Sequence, residues 1–323
     1  MHAAVAPIPV TLLTGFLGSG KTTLLNAALR GADAPIGVVV NEFGAVGLDH
    51  DLVEAADEDV VLLAGGCACC AVRSDIGEAL SRLARARAAA GARPFERIVI
   101  ETTGLADPTP IEQLFCGPGA VSARHRLDRV VTTVDACLGA ATAASDPVWR
   151  RQVALADALV VTKTDIADHN ERAALDALLQ ELNPRAARGL GTDGANLLAG
   201  AASRPPRPAP IPRERYRPVH DEHVASHAVR LRAPVDGDVL AGWLETLASS
   251  HGHRLLRVKG LVHLAGEPRP LVVHAVQHLV SPPRLLDGWP GDDHDTRLVF
   301  IARGLEPLDL SLGYAGAEAL EWT

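Results

Sequence analysis

The sequence predicts an α/β fold, a mostly parallel sheet with helices on both faces, followed by a smaller α+β domain. Three observations carry that expectation. Short β-branched runs alternate with helix-like stretches through the first part of the chain, a glycine-rich turn joins the first run to the first helical stretch, and a proline-rich interruption separates this pattern from a second set of alternating strands.

Ile8-Pro9-Val10-Thr11-Leu12-Leu13-Thr14 is the first β-rich run, and Thr22-Thr23-Leu24-Leu25-Asn26-Ala27-Ala28-Leu29-Arg30 follows the glycine turn with leucines at helical spacing. Further apolar strands are expected at 36–40, 60–63, 98–100, 130–134 and 159–162, with helices at 74–90 and 168–182. Residues 204–218 hold six prolines and five arginines, which suits an extended linker. Beyond it, 225–232, 255–264, 270–276 and 297–303 read as strands and 238–249 as a helix. The expected domains are therefore 1–203, a linker at 204–224, and 225–323.

The chain has 323 residues, 47% of them hydrophobic and 22% charged, enough for two buried cores. A net charge of -8 and only 3% aromatic residues argue against a nucleic-acid surface, which needs basic patches and stacking rings. No apolar run is long enough for a membrane span, and Met1-His2-Ala3-Ala4-Val5 lacks the basic start and apolar core of a secretory signal. A cytoplasmic protein is the expectation. In a reducing compartment clustered cysteines read as metal ligands or redox groups before they read as disulfides.

Gly15-Phe16-Leu17-Gly18-Ser19-Gly20-Lys21-Thr22 fills the phosphate-loop pattern between a strand and a helix. Phosphate needs converging N–H donors, and the small residues Gly15, Gly18, Ser19 and Gly20 let the backbone wrap closely enough to supply them at a helix N-terminus. Lys21 is then placed for the β- and γ-phosphates, Thr22 offers its hydroxyl to Mg²⁺, and Thr23 is a further nucleotide-binding candidate. The first domain is thus a P-loop NTPase domain.

Arg97-Ile98-Val99-Ile100-Glu101 is an apolar strand ending in a carboxylate, with Glu101 expected to reach Mg²⁺ through water. Gly104 is placed to offer its N–H to a γ-phosphate, and Asp107-Pro108 reads as an N-cap followed by a first-turn proline. The 104–107 stretch is either a nucleotide-sensing switch or simply a capped helix start. Thr162-Lys163-Thr164-Asp165 ends a strand where a guanine base would be read: Asp165 accepts both hydrogens of the guanine N1 and N2 edge, and the Lys163 stem packs on the ring. Thr162 stands where an amide side chain is usual, so GTP is preferred over ATP on Asp165 alone.

Cys67-Ala68-Cys69-Cys70 puts three thiols in four positions after the third strand, at the rim where open α/β sheets bind ligands. Thiolates favour Zn²⁺, with Co²⁺ and Cu(I) also possible. No second pair follows to complete a closed structural site, which fits an ion that loads and unloads. A redox pair and inert buried thiols are the alternatives. Glu42, after the second strand, is either an additional metal ligand or a solvated acid, and Asp49 is a further candidate for orienting water. Cys116 and Cys137 are isolated and read as core or surface thiols.

With these motifs in this order, together with Asn41-Glu42-Phe43-Gly44 and Glu101-Thr102-Thr103-Gly104-Leu105-Ala106-Asp107-Pro108, the chain resembles the CobW-like metallochaperone GTPases. Arg254-Leu255-Leu256-Arg257-Val258-Lys259-Gly260 and Arg297-Leu298-Val299-Phe300-Ile301 are similar to that family's C-terminal domain, so nearly the whole chain is covered. The resemblance implies slow GTP hydrolysis to GDP coupled to delivery of Zn²⁺ or Co²⁺ to a client metalloprotein, with Cys67, Cys69 and Cys70 as the internal metal site and Mg²⁺ on the nucleotide. It also implies that metal and GTP bind cooperatively. Thr162 departs from the family pattern, and the family's histidine run is reduced to His220, His223 and His227, which read equally as a transient ion site or as chance clustering. Two other classes stay open: a metal-buffering or sensing protein in which nucleotide is mainly structural, and an ATP-dependent small-molecule kinase.

Overall fold

Val10, Leu12 and Leu13 have no solvent exposure because β1 (Ile8–Gly15) runs between two parallel neighbours, β4 (Arg97–Thr102) and β5 (His125–Asp135). A strand covered on both edges and both faces must be apolar almost throughout, which is how these runs read in the sequence. The computed structural model describes residues 6–42, 59–64, 69–117, 119–199 and 224–322, and of residues 42, 62, 64, 69–74 and 199 the backbone alone. The chain divides into two compact units, 1–115 with 119–206, and 207–323 with 116–118.

Among the described residues, the first unit's sheet has seven strands in the order β3-β2-β4-β1-β5-β6-β7, where β2 is Ile36–Glu42, β3 Val60–Ala64, β6 Ala158–Thr162 and β7 Ala187–Leu190. Every pairing in it is parallel. All strands therefore end at one rim, and the reversal of strand order beside β1 opens a crevice there.

Alternate residues of the central strands feed opposite faces. Leu12, Ile98 and Ile100 pack with Ile76, Leu80 and Leu83 of α2 (Cys69–Ala89) and with Ile111 of α3 (Thr109–Gln113). Leu13 and Val99 pack instead with Leu24, Leu25 and Ala28 of α1 (Lys21–Arg30) and with Leu198 of α7 (Asn196–Ala199). A third cluster joins Val134 and Leu159 to Trp149 and Val153 of α5 (Pro147–Ala154) and to Leu175 and Leu179 of α6 (His169–Leu182). The start of α6 is set by a reciprocal capping box, Asp168 Oδ1 accepting from Glu171 N–H and Glu171 Oε2 accepting from Asp168 N–H, both at 2.8 Å.

Two elements depart from the sequence reading. The second helix begins at Cys69, five residues before the expected start at Ser74, so Cys69 and Cys70 belong to its first turn. A helical pair, α4 (Gly139–Ser145) and α5, stands where no helix was expected; both are short, and Asp146 with Pro147 caps α5, its carboxylate accepting Val148 N–H at 2.8 Å.

The second unit is α+β. Its antiparallel sheet runs β11-β10-β9-β13-β8-β14, with β8 Val224–Leu231, β9 Leu255–Val262, β10 Leu271–Val276, β11 Leu279–Val280, β13 Thr296–Arg303 and β14 Glu321–Trp322, while β12 (Arg284–Leu285) pairs with β10. One face carries α8 (Gly237–His251) through Leu240, Trp243, Leu244 and Leu247. Trp243 is fully buried against Phe300, and its indole N–H is satisfied by the Leu310 carbonyl of α9 (Pro307–Leu310) at 2.9 Å. β8 starts at Val224, one residue inside the expected linker. No helix among the described residues is long and apolar enough to cross a membrane.

Candidate functional site

A cavity of about 330 Å³ opens at the strand-end rim, lined by the loop after β1 (Leu17, Gly18, Gly20), the start of α1 (Lys21, Thr22, Thr23), Val40 and Asn41 of β2, and Glu101, Thr102, Thr103 and Gly104 at the end of β4. The phosphate loop and the carboxylate strand thus converge as the motifs require. Parallel β1 and β4, in register from Val10 opposite Ile98 to Leu13 opposite Glu101, deliver both to one place.

The loop's shape depends on glycine at its root. Gly15 has φ 141°, and a Cβ there would lie 2.3 Å from Thr133 Oγ1 and 2.5 Å from the Thr133 carbonyl, so no side chain fits. Below the loop lies a set of buried hydroxyls that the motif reading did not single out. Thr133 Oγ1 donates to the Thr14 carbonyl (3.3 Å) and pairs with Ser19 Oγ (2.7 Å), and Thr102 Oγ1 donates to Thr14 Oγ1 (2.9 Å). The Ser19 side chain is therefore turned into the sheet, its N–H bonded to the Phe16 carbonyl at 3.1 Å. The available signal was threonine ending several strands, a small hydroxyl that tethers a loop to a strand tip.

Lys21 folds its ammonium over the loop's own carbonyls, Gly15 at 3.1 Å and Phe16 at 3.3 Å, which holds the charge at the cavity. Thr22 Oγ1 donates to Glu101 Oε1 at 2.8 Å, and Glu101 is only 4% exposed. A hydroxyl and a carboxylate oxygen side by side at the start of a phosphate-binding helix are the hard donors that suit a nucleotide-bound Mg²⁺.

Gly104 presses against the phosphate loop: a Cβ there would lie 2.5 Å from Leu17 N and 2.7 Å from Leu17 Cα. Pro108 is the N-cap residue of α3, and Asp107 just before it accepts the Thr109 N–H at 3.0 Å and the Thr109 hydroxyl at 2.7 Å through Oδ1. Two residues of α5 that sequence reasoning missed also hold this loop, Gln152 through the Gly104 and Ala106 carbonyls and Arg151 through Asp107.

At the end of β6 the Thr162 hydroxyl donates to the Ser19 carbonyl at 2.8 Å, so the residue occupying the usual amide position tethers the phosphate loop. Lys163 adopts the left-handed conformation (φ 56°), and its ammonium pairs with Asp135 Oδ2 at 2.6 Å. Burial would raise the Asp135 carboxyl; the Lys163 bond and the N–H groups of Leu138 and Cys137 outweigh it and hold it below the ordinary value. Asp165 is exposed. Thr162, Lys163 and Asp165 lie at and just beyond the tip of β6, two strands from β1 and outside the lining of the phosphate cavity.

The thiol motif falls partly outside the described residues. Cys67 lies there, as do Asp49, His220 and His223; of Glu42, Cys69 and Cys70 the backbone is described. The backbone of Cys69 and Cys70 opens α2. His227 sits on β8, within the strand expected at 225–232, opposite Phe300 of β13. Among the described residues no group of three or more His, Cys, Asp and Glu side chains is disposed to hold a metal ion. Cys116 is fully buried; Cys137 is half-buried, its thiol pushed up by burial and by Asp135.

Comparison with known proteins agrees with this architecture. The zinc chaperone YjiA of Escherichia coli (strain K12) is 34% identical over 325 residues, covering 96% of this chain and 98% of that one. The zinc chaperone CobW of Sinorhizobium sp is 29% identical, covering 97% of each. The crystal structure of the Zn(II)-bound YjiA GTPase from E. coli is similar with a TM-score of 0.68 at 30% identity, over 97% of this chain and 99% of that one. Residues 9–188 match the CobW/HypB/UreG nucleotide-binding domain and residues 224–313 the cobalamin synthesis protein cobW C-terminal domain. A phosphate loop facing a carboxylate strand, joined in one chain to an α+β domain of this second type, places the chain in the CobW family, and it belongs to that family over nearly its full length.

Proposed function

We propose that the protein is a GTPase metallochaperone, which binds GTP with Mg²⁺ in the cavity at the sheet rim, takes Zn²⁺ or Co²⁺ as cargo at Cys67, Cys69 and Cys70, and couples slow hydrolysis to release of the ion to a client metalloprotein. The observation that carries the nucleotide half is the 2.8 Å bond between Thr22 and Glu101 beside the phosphate loop. The cargo half is supported by the relatives named zinc chaperones and by the clustered thiols.

In this reading the loop N–H groups of Gly18 and Gly20 together with Lys21 hold the phosphates, Ser19 bracing the loop from below, and Thr22 with Glu101 would hold Mg²⁺, which supplies charge neutralisation on the transferred phosphoryl group. Gly104 reads the γ-phosphate, Asp165 the guanine edge, and Lys163 stands beside the ring. Thr162 acts indirectly by anchoring Ser19. The thiols gain affinity when the γ-phosphate orders the loops after β2 and β4, and lose it after hydrolysis. By linkage, metal must then tighten GTP by the same factor that GTP tightens metal.

The test is a Zn²⁺ titration with a non-hydrolysable GTP analogue and Mg²⁺, with GDP, and with no nucleotide, using Cys67→Ala and Cys70→Ala as controls. The proposal expects tighter Zn²⁺ binding in the triphosphate state and loss of it in both variants. Equal affinity in all three states would leave a metal buffer with a structural nucleotide, and preference for ATP in competition would revive the kinase reading.

A further inference from the structure

No motif marks α5, yet it grips the loop between β4 and α3 at three points. Gln152 is fully buried, and its Nε2 donates to the Gly104 carbonyl at 3.1 Å and the Ala106 carbonyl at 3.0 Å. Two carbonyl acceptors require the nitrogen end of the amide, which fixes its orientation. One residue earlier, Arg151 Nη1 pairs with Asp107 Oδ2, while Asp107 Oδ1 accepts the Thr109 N–H at the start of α3. The helix that makes these contacts is itself fixed: Thr132 Oγ1 donates to the Gln152 carbonyl at 2.8 Å, Asp146 caps its start, and Trp149 and Val153 are buried.

On its other side the same loop meets the phosphate loop without room for a Cβ at Gly104. The 104–107 segment is therefore held between two rigid bodies, one of which receives phosphate. In a trans peptide the carbonyl and the following N–H point in opposite directions, so turning the Gly104 carbonyl to α5 aims the Leu105 N–H away from it. The grip thus sets which way the Leu105 and Asp107 N–H groups face and anchors Gly104 from its carbonyl side.

We propose that Gln152 and Arg151 are positioning residues for triphosphate recognition, holding the 104–107 loop so that it discriminates a nucleoside triphosphate from a diphosphate. This rests on the reading of Gly104 as the γ-phosphate contact. Neither side chain touches nucleotide; each acts through the loop backbone or through Asp107. α5 is then the element through which the state of the nucleotide reaches the helical layer around Trp149.

Affinities of the full chain for GDP and for a non-hydrolysable GTP analogue, both with Mg²⁺, test this in wild type, Gln152→Leu, Arg151→Ala and Arg151→Lys. Loss of two neutral hydrogen bonds or of one ion pair predicts a fall of about tenfold in the analogue-to-GDP affinity ratio for Gln152→Leu and Arg151→Ala. Arg151→Lys should recover most of the ratio. An unchanged ratio in the folded variants overturns the proposal, and so does an equal loss of both nucleotides, which would mean that α5 merely supports the phosphate loop. If Gln152→Leu does not fold by circular dichroism, the Arg151 pair of variants decides on the same ratio. A wild type that binds neither guanine nucleotide sinks the parent reading along with this one, an outcome distinct from the others.

Discussion

Asp128, at the opposite end of β5 from the nucleotide cavity, offers a sharp test of what holds the first unit's sheet together. Its carboxylate meets three guanidinium groups, Arg126 at 2.8 Å, Arg97 at 3.0 Å and Arg129 at 3.3 Å, with 17% of the side chain exposed. Burial alone would raise its pKa; the arginines, Arg97 foremost, override burial and bring it from 3.8 to about 2. A depression of this size corresponds to about 2 kcal/mol of stability at neutral pH, little discounted because the group is mostly out of solvent. Because the folded pKa is the lower one, that stability is fully present above the unfolded value of 3.8 and is lost as pH falls towards 2.

Asp128→Asn removes the carboxylate and leaves the guanidiniums facing one another, so the variant should be less stable by about 2 to 3 kcal/mol at pH 7. Urea titrations of both proteins, followed by far-ultraviolet circular dichroism at a series of pH values, read the gap between them directly. The other carboxylates titrate alike in the two proteins and cancel. The gap should be constant above pH 5, narrow from about pH 4 and nearly close by pH 2. A gap below about 0.5 kcal/mol at pH 7, or one of equal size at pH 2.5 and pH 7, would refute the reasoning.

Three further outcomes are expected at the rim. Thr22→Ala should cut the Mg²⁺-dependent enhancement of GTP-analogue binding by about tenfold or more; an undiminished enhancement counts against the Thr22 and Glu101 pair as the ion's holders. Gly104→Ala places a Cβ 2.5 Å from Leu17 N; it should lower stability by about 1 to 3 kcal/mol and weaken the GTP analogue, both read by thermal unfolding with and without ligand. Asp135→Asn removes the charge that holds Lys163, so selectivity for GTP over ATP in competition should fall about fivefold or more, and an unaltered ratio would show that the pair does not serve base reading.

The parallel sheet was legible because β1, β2 and β4 are largely buried and read as predominantly apolar runs, and the phosphate loop because its chemistry demands fixed residue types at fixed spacing. The grip of α5 was not legible. Gln152 and Arg151 act through contacts 46 and 44 residues away in sequence, and nothing in a local pattern distinguishes a clamping glutamine from a solvated one. α4 and α5 are too short for periodicity to declare them. The early start of α2 was not legible because the apolar face that makes the helix starts later, at Ile76.

Thr162 shows why a departure from a motif has to be read by position as well as by type. A hydroxyl has one proton and cannot reproduce an amide's paired recognition. Here that proton goes to the Ser19 carbonyl, with the Val134 carbonyl also within reach at 3.2 Å, so the side chain ties the tip of β6 to the phosphate loop. A longer amide at this position would have to keep that tether while fitting where the Thr162 methyl already lies 3.4 Å from the place a Cβ would take on Gly20. The loop in this chain is thus anchored by small hydroxyls, Thr14, Thr102, Thr133 and Thr162, packed under a root that admits only glycine. If so, the burden of base choice moves to Asp165 and to the Asp135 and Lys163 pair. Thr162→Val, which keeps the shape and removes the proton, should then weaken diphosphate and triphosphate alike without changing the preference between guanine and adenine; a change in base preference would show that the hydroxyl reads the base after all.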